Sequence, residues 1–341
     1  MPYTELVDIL HNWYAASRRQ ALPWRAPPQH LNDPYHVWLS EIMLQQTTVK
    51  AVIPYFLKFT HAWPRIEDLA AAPLEDVLDN WAGLGYYARA RNLHKCAQYV
   101  VANHGGRFPE AYDALLTLPG IGPYTAGAIA TIAFGRPAPV MDGNIERIVA
   151  RLFCIQEMLP AAKPIYRSHV EQIFANDIQH PGDIAQALMD IGATICTPTA
   201  PQCMLCPLRL HCCAADAGTM NTYPRKAAKA PVPEKHAYVY IVRNAHGQIA
   251  AERRAAKGLL GGMLGLPTSD WVTIDQPLPD LEPGEGEVAQ VRHVFTHFAL
   301  TLHIVAADAH PAPANVVWMT MSADTYKKFP TLFAKVIRLI A

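Results

Sequence analysis

Apolar positions recur at helical spacing through most of the chain and then give way to runs that suit strands. Segments 67–79, 86–103 and 144–154 carry apolar residues three and four apart, separated by Pro and Gly, and residues 3–215 as a whole read as mostly helical. Around 222–236 the sequence TYPRKAAKAPVPEKH is rich in Pro, Lys and Ala and has no apolar face, which marks a linker. Beyond it, HAYVYIVR (236–243) and HFALTLHIVAA (297–307) are rich in β-branched and aromatic residues and predict strands. The pattern therefore predicts a helical domain over 1–221, a linker over 222–235 and a smaller sheet-containing domain over 236–341.

Composition bounds this picture without changing it. Of 341 residues 51% are hydrophobic, enough for two cores. The opening Met-Pro-Tyr-Thr-Glu-Leu lacks a basic stretch followed by an apolar run, and no apolar stretch reaches the roughly 18 residues of a membrane span. The expectation is a soluble, intracellular protein of the cytoplasm. Lys plus Arg and Asp plus Glu both total 29. Through residue 225 there are 17 basic and 19 acidic residues, a balance of −2, so the basic field of many nucleic-acid binders is absent. Any DNA contact must then use backbone donors and a few well-placed cations.

Three groups of residues carry chemistry. Cys196, Cys203, Cys206 and Cys212 are spaced C-x6-C-x2-C-x5-C. Thiolates this close are explained by a shared metal, zinc or an iron–sulfur cluster. Structural zinc sites use two C-x2-C pairs and only Cys203–Cys206 is one, which favours iron–sulfur. His211 keeps zinc open as an alternative. Of the other cysteines, Cys96 and Cys154 read as core residues and Cys213 as a bystander to the loop. A disulfide fits an intracellular chain less well.

The second group is LPGIGPYTAG (118–127), where two glycines astride an apolar residue allow a tight turn into a helix. Outward-facing N–H groups at such a turn can hold a phosphate without side-chain charge, although an ordinary inter-helix turn has the same appearance. The dinucleotide fingerprint fails, because the third Gly is displaced and no clear strand precedes the turn. The third group is a pair of carboxylates. Glu41 sits in the otherwise apolar stretch VWLSEIML, where desolvation would favour its neutral form and suit a general acid. The bland alternative is a surface position on that helix. Asp142, in VMDGN before a helical pattern, reads as a helix N-cap, which would also hold an ionised carboxylate in place. Two carboxylates in different environments are what glycosidic cleavage needs.

In order, the SEIMLQQT helix, LPGIGPYTAGAI hairpin, VMDGN and the four-cysteine loop resemble the iron–sulfur helix-hairpin-helix DNA glycosylases. Within them, SEIMLQQT, ALPWR (21–25) and VFTHF (294–298) resemble the MutY family of adenine DNA glycosylases, over nearly the whole chain. The resemblance implies a multidomain fold: an all-α helix-hairpin-helix glycosylase domain with a [4Fe-4S] cluster loop, plus a C-terminal α+β MutT-like (Nudix-like) domain. The implied activity is base-excision repair, removing adenine mispaired with 8-oxoguanine or guanine in duplex DNA. The implied working form is a monomer, in the cytoplasm with the chromosomal DNA.

By resemblance, the hairpin with Gly120 and Gly122 holds the DNA backbone and the adenine is flipped into a pocket. Glu41 would protonate adenine N7 and Asp142 would stabilise the oxocarbenium-like sugar, with Asn144 and Tyr124 in support. Gln46 and Thr47 match residues that enter the duplex near 8-oxoguanine, and Leu44 joins them among the DNA-contacting positions. Gln186 matches an adenine-pocket position, Arg25 a pocket-side one, and Phe295, Thr296 and His297 the loop that recognises 8-oxoguanine. Tyr124 stands where endonuclease III relatives carry a lysine nucleophile, which implies base removal without strand cleavage.

The chain departs from the pattern in places. Thr296 replaces a usual Ser, and RAPPQHLNDP (25–34) is longer than usual. TPTAPQ between the first two cluster cysteines has no Lys or Arg, so a phosphate contact common in relatives is missing. GLLGGMLGLP (258–267) resembles a degenerate Nudix box without the Glu-rich magnesium-binding helix, which opposes pyrophosphate hydrolysis. Met263 and Leu266 stand where relatives often carry aromatics, which implies altered core packing only. The competing readings are an endonuclease III-like glycosylase for oxidised pyrimidines, a non-catalytic DNA binder with a zinc loop, and a nucleotide hydrolase.

Overall fold

The computed structural model describes residues 2–340 except 20–21, 176–177, 228–230, 256–258, 283–284, 296, 308–315, 323–324 and the Lys327 side chain. The chain divides into two compact units, Met1–Ala228 and Lys229–Ala341. Among the described residues no helix is long and apolar enough to cross a membrane.

The first unit is helical. Its helices are α1 (Tyr3–Ser17), α2 (Pro34–Leu44), α3 (Val49–Ala62), α4 (Ile66–Ala71), α5 (Leu74–Trp81) and α6 (Tyr87–His104). They are followed by α7 (Tyr112–Leu116), α8 (Pro123–Ala128), α9 (Gly143–Leu152), α10 (Lys163–Ile173), α11 (Pro181–Thr194) and the short α12 (Cys213–Asp216). The helical pattern over 67–79 is not one helix: Pro73 lacks the N–H that a continuing helix needs, so the chain breaks into α4 and α5. α6 ends where Gly105 adopts φ +59°.

α2 sits at the centre. Asp33 caps it by accepting from the N–H groups of Tyr35 and His36, and Pro34 occupies its first turn. Tyr35 and every residue from Val37 through Met43 are buried, with Pro34, His36 and Leu44 partly exposed, so Glu41 lies on no solvent face of this helix. The surface alternative for Glu41 therefore fails. α7 and α8 form the hairpin, with Leu118 and Ile121 buried under its turn and Gly120 at φ +76°, a conformation that favours glycine. α8 runs on into a buried π-helical turn, Ile129–Ala133, that packs against α2 and α11. These three elements frame the cavity described below.

The second unit contains β1 (Glu234–Ile241), β2 (Ile249–Arg253), β3 (Leu264–Gly265), β4 (Val272–Thr273), β5 (Gly286–Val294), β6 (Ala299–Ala306), β7 (Val316–Met319) and α13 (Thr331–Ile340). The predicted strands at 236–243 and 297–307 are β1 and β6, which pair in parallel from Glu234↔Ala299 to Ile241↔Ala306. One sheet has the order β4-β1-β6-β5 and a second the order β3-β2-β7. Both contribute to one core, into which α13 inserts Leu332, Phe333, Val336 and Ile337. The described part of the degenerate Nudix segment is a turn leading into β3 rather than a helix, and Leu266 is buried in that core.

Candidate functional site

α2, α8, α9 and α11 converge on a cavity of about 500 Å³ in the first unit. It is lined by nine of the residues singled out from the sequence: Arg25, Glu41, Leu44, Gln46, Thr47, Tyr124, Asp142, Asn144 and Gln186. They come from distant parts of the chain, so the fold alone brings them together. Gly120 and Gly122 do not line it; they lie at the hairpin turn.

Glu41 is buried, and the Tyr124 hydroxyl donates to its Oε2 at 2.6 Å. Burial pushes its carboxyl up to about 7, with the negative charge of Asp142 acting in the same direction. The Tyr124 hydrogen bond and the Arg25 charge pull the other way without cancelling this. The phenol itself is held well above its ordinary range, first by burial and then by the two nearby carboxylates, so it stays a donor.

Asp142 is the N-cap of α9. Its Oδ1 accepts from the backbone N–H of Asn144 at 3.0 Å and of Ile145 at 2.8 Å, and its Oδ2 from Asn144 Nδ2 at 2.8 Å. Burial raises this carboxyl above its ordinary value, while those three donors and the Arg147 charge favour the anion. Two carboxylates thus share a cavity with different partners. One receives a single phenol bond, the other a helix N-terminus and an amide. The backbone of α9 approaches α11 so closely that a Cβ on Gly192 would sit 2.5 Å from Asn144 Cβ.

The cavity rim follows the end of α2. Arg89 of α6 donates to the carbonyls of Ile42 at 2.8 Å and Met43 at 3.1 Å, and to Thr47 Oγ1 at 3.3 Å. A cation thereby satisfies the last carbonyls of the helix that carries Glu41. Gln46, exposed just beyond, holds φ +55°, a strained setting for a side-chain-bearing residue. Gln186 is buried and donates to the Gly182 carbonyl at 3.2 Å.

Sequence reasoning did not find two arginines on α9. Arg147 donates to the Cys196 carbonyl at 2.7 Å, the Gly192 carbonyl at 2.6 Å and Asn144 Oδ1 at 3.0 Å. Arg151, 2% exposed, donates to the carbonyls of Met220, Thr197 and Pro198 and to Cys196 Sγ at 3.3 Å. Two cations four residues apart amid Ile148, Val149 and Leu152 were the available signal. One helix therefore holds Asp142 and Asn144 at its start and the cysteine loop along its length.

Cys196, Cys203, Cys206 and Cys212 are free thiols of intermediate exposure. Burial pushes the Cys206 thiol up to about 12, and Cys196, Cys212 and Cys203 are near enough to add to this. Among the described residues no group of three or more His, Cys, Asp or Glu side chains is arranged to hold a metal ion. A donor set of four neighbouring thiols, with no carboxylate, fits an iron–sulfur cluster, whose ligands stand further apart than those of a single ion. His211, the alternative zinc ligand, faces Glu5 at 3.5 Å. One expectation is corrected here: Cys213 is not a bystander, because it forms a disulfide, with Cα atoms 5.7 Å apart, to Cys154, which is partly buried against the core. Cys154 follows the end of α9 at φ +49°, a turn that carries it toward the first residue of α12.

In the second unit Phe295 belongs to an aromatic group, with ring centroids 4.6 Å from His293, 4.9 Å from Phe298 and 6.1 Å from Trp271. Its N–H donates to the Phe298 carbonyl at 2.8 Å, closing the turn between β5 and β6. His297 is exposed on that turn. Thr296 lies outside the described residues.

Comparison with known proteins bears on the family and on the fold of each unit. Residues 39–173 match the HhH-GPD superfamily of base excision DNA repair proteins, and 238–339 match the NUDIX domain. An adenine DNA glycosylase of Buchnera aphidicola subsp. Schizaphis graminum (strain Sg) is 34% identical over 305 residues, covering 87% of this chain and 85% of that protein. The adenine DNA glycosylase of Homo sapiens is 32% identical over 403 residues, covering 97% of this chain and 73% of that one. Among solved structures, a thermostable thymine-DNA glycosylase superposes with TM-score 0.55 at 28% identity, covering 63% of this chain and 97% of that one. A non-covalent endonuclease III–DNA complex superposes with TM-score 0.52 at 21% identity, over 64% of this chain and 98% of that one, a likeness of fold.

Proposed function

Because this chain belongs to the adenine DNA glycosylase family and is a DNA glycosylase of base-excision repair, we propose that its cavity excises adenine paired with 8-oxoguanine or guanine. The observation that carries the reading is the pair of unlike carboxylates in one cavity, Glu41 under Tyr124 and Asp142 on the start of α9. The adenine turns out of the duplex into the cavity, at the cost of its stacking and pairing. Glu41, raised to about 7, still carries its proton in much of the enzyme near neutrality and delivers it to adenine N7. The protonated base leaves, the sugar becomes oxocarbenium-like, and the Asp142 carboxylate stabilises that charge or captures the sugar. Water completes the hydrolysis and an abasic site remains.

Asn144 holds Asp142 through its side-chain amide, and Tyr124 holds Glu41. Tyr124 has no amine with which to form a Schiff base, so strand cleavage is not part of the reaction. The hairpin at Gly120 and Gly122 grips the backbone, Leu44, Gln46 and Thr47 meet the duplex, and Gln186 and Arg25 meet the base. The domain over 236–341 reads 8-oxoguanine through Phe295, Thr296 and His297. The enzyme works as a monomer. Cys196, Cys203, Cys206 and Cys212 would hold a [4Fe-4S] cluster, which supplies a structural tie for the loop and no chemical step.

The test incubates purified protein with a duplex containing one A:8-oxoguanine pair, with and without later alkali. Free adenine, and breaks that appear only after alkali, are expected. No adenine release, or full activity in Asp142→Asn, contradicts the reading.

A further inference from the structure

A second wall of the cavity is made by two arginines that share one carboxylate. Asp190 of α11 is 1% exposed. Arg25 approaches it edge-on, Nη1 donating to Oδ2 at 2.6 Å and Nη2 to Oδ1 at 2.8 Å. Arg19 adds its Nε to Oδ1 at 2.6 Å and its backbone N–H to Oδ2 at 3.2 Å. The Arg25 side chain is 5% exposed and that of Arg19 28%, so Arg25 is the buried member of the pair. Both arginines line the cavity that holds Glu41. Among the described residues, Asp190 is the hydrogen-bond acceptor that Arg25 uses, so the remaining N–H groups of its guanidinium are available to a bound base.

We infer that Asp190 is a positioning residue for adenine excision: its bidentate grip fixes Arg25 in the cavity wall and cancels its charge, so that a guanidinium can face the base while Glu41 remains a proton donor. The inference rests on the proposed function. Glu41 faces Tyr124 from α8, Asp142 from the start of α9 and Arg25 from the segment before α2. Of these, Tyr124 and Arg25 favour its anion and Asp142 its acid form. Asp190 and Arg25 are 165 residues apart, and the pairing exists only because α11 passes behind that segment. A carboxylate buried under two guanidiniums leaves one net positive charge; without it the cavity wall carries two. The second cation would draw the proton from Glu41.

The experiment follows adenine release in single turnovers across pH for the wild type, Asp190→Asn and Asp190→Asn with Arg25→Gln. The wild type should lose rate toward alkaline pH. Asp190→Asn should lose it earlier, by on the order of one pH unit. The double variant should return the fall to the wild-type position or beyond, since the unpaired cation is gone. If Asp190→Asn is too unstable, Arg19→Gln alone removes one of the two cations on Asp190 and should move the alkaline fall to higher pH. An unmoved fall there overturns the inference. A variant that is slower at every pH with an unmoved alkaline fall overturns the inference and leaves the proposed function standing. A wild type that releases no adenine overturns both.

Discussion

The cavity around Glu41 and the cysteine loop hang from the same helix but are built on opposite terms. In the cavity Glu41 is held by a phenol from α8, and Asp142 by two backbone N–H groups and an amide at the start of α9. The cysteine loop has short 3-10 turns at Cys203–Leu205 and Arg209–His211, and it leaves Met204, Leu205 and Leu210 exposed. Its ties to the helical body include the disulfide, the two arginines of α9, His211 beside Glu5 and the buried Leu208. The cavity is preorganised for charge by protein atoms alone. The loop has little core of its own and is tied down chiefly from α9.

The largest break in this comparison comes from Glu41→Gln. It should lower adenine release by on the order of 10³-fold or more by removing the proton donor, as single-turnover rates will show. The same change should stabilise the fold at alkaline pH. Between pH 4.5 and about 7 the folded chain keeps a proton on Glu41 that the unfolded chain has lost, so stability falls as pH rises through that window. Gln carries no such cost, and above the window urea unfolding should show the variant more stable by up to ~3 kcal/mol.

Gly192→Ala comes next. The added methyl collides with Asn144 Cβ, which is fixed to the backbone of α9, so α9 and Asp142 must shift. Displacement of that scale should cost about 100-fold in rate with the fold retained. Equal rates for Ala and Gly would show that α9 has room to adjust.

Arg151→Met strikes the loop instead. It leaves the carbonyls of Met220, Thr197 and Pro198 without their donor. Denaturant unfolding should lose on the order of 3 kcal/mol, with any iron–sulfur absorbance fading before adenine release does. The smallest effect concerns DNA. TPTAPQ has no cation, so Gln202→Lys should tighten duplex binding and steepen its salt dependence by about one unit of log–log slope. An unchanged slope would place this segment away from the phosphates.

The contrast also explains what could be read from the chain. Glu41 was legible because a carboxylate among eight mostly apolar residues is anomalous, and Asp142 because a capping residue directly before a helical pattern is a local signal. The two domain classes were legible from the change of period. What stayed hidden depends on distant parts of the chain meeting. Asp190 pairs with Arg25 across 165 positions, and Arg147 reaches Cys196 across 49. The π-helical turn at Ile129–Ala133 was hidden for another reason, since TAGAIATIAF reads the same whether its bonds span four or five residues. Pro73 was visible, but the apolar spacing across it masked the break between α4 and α5.

The central claim is that a buried, protonated Glu41 drives adenine departure. Its most direct test is the single-turnover rate of adenine release from an A:8-oxoguanine duplex, measured from acid to alkaline pH in wild type and Glu41→Gln. The account predicts a wild-type rate that falls as pH rises through about 7 and no measurable release in the variant. A wild-type rate that is flat or rising across that range, or release by Glu41→Gln at a wild-type rate, would contradict it.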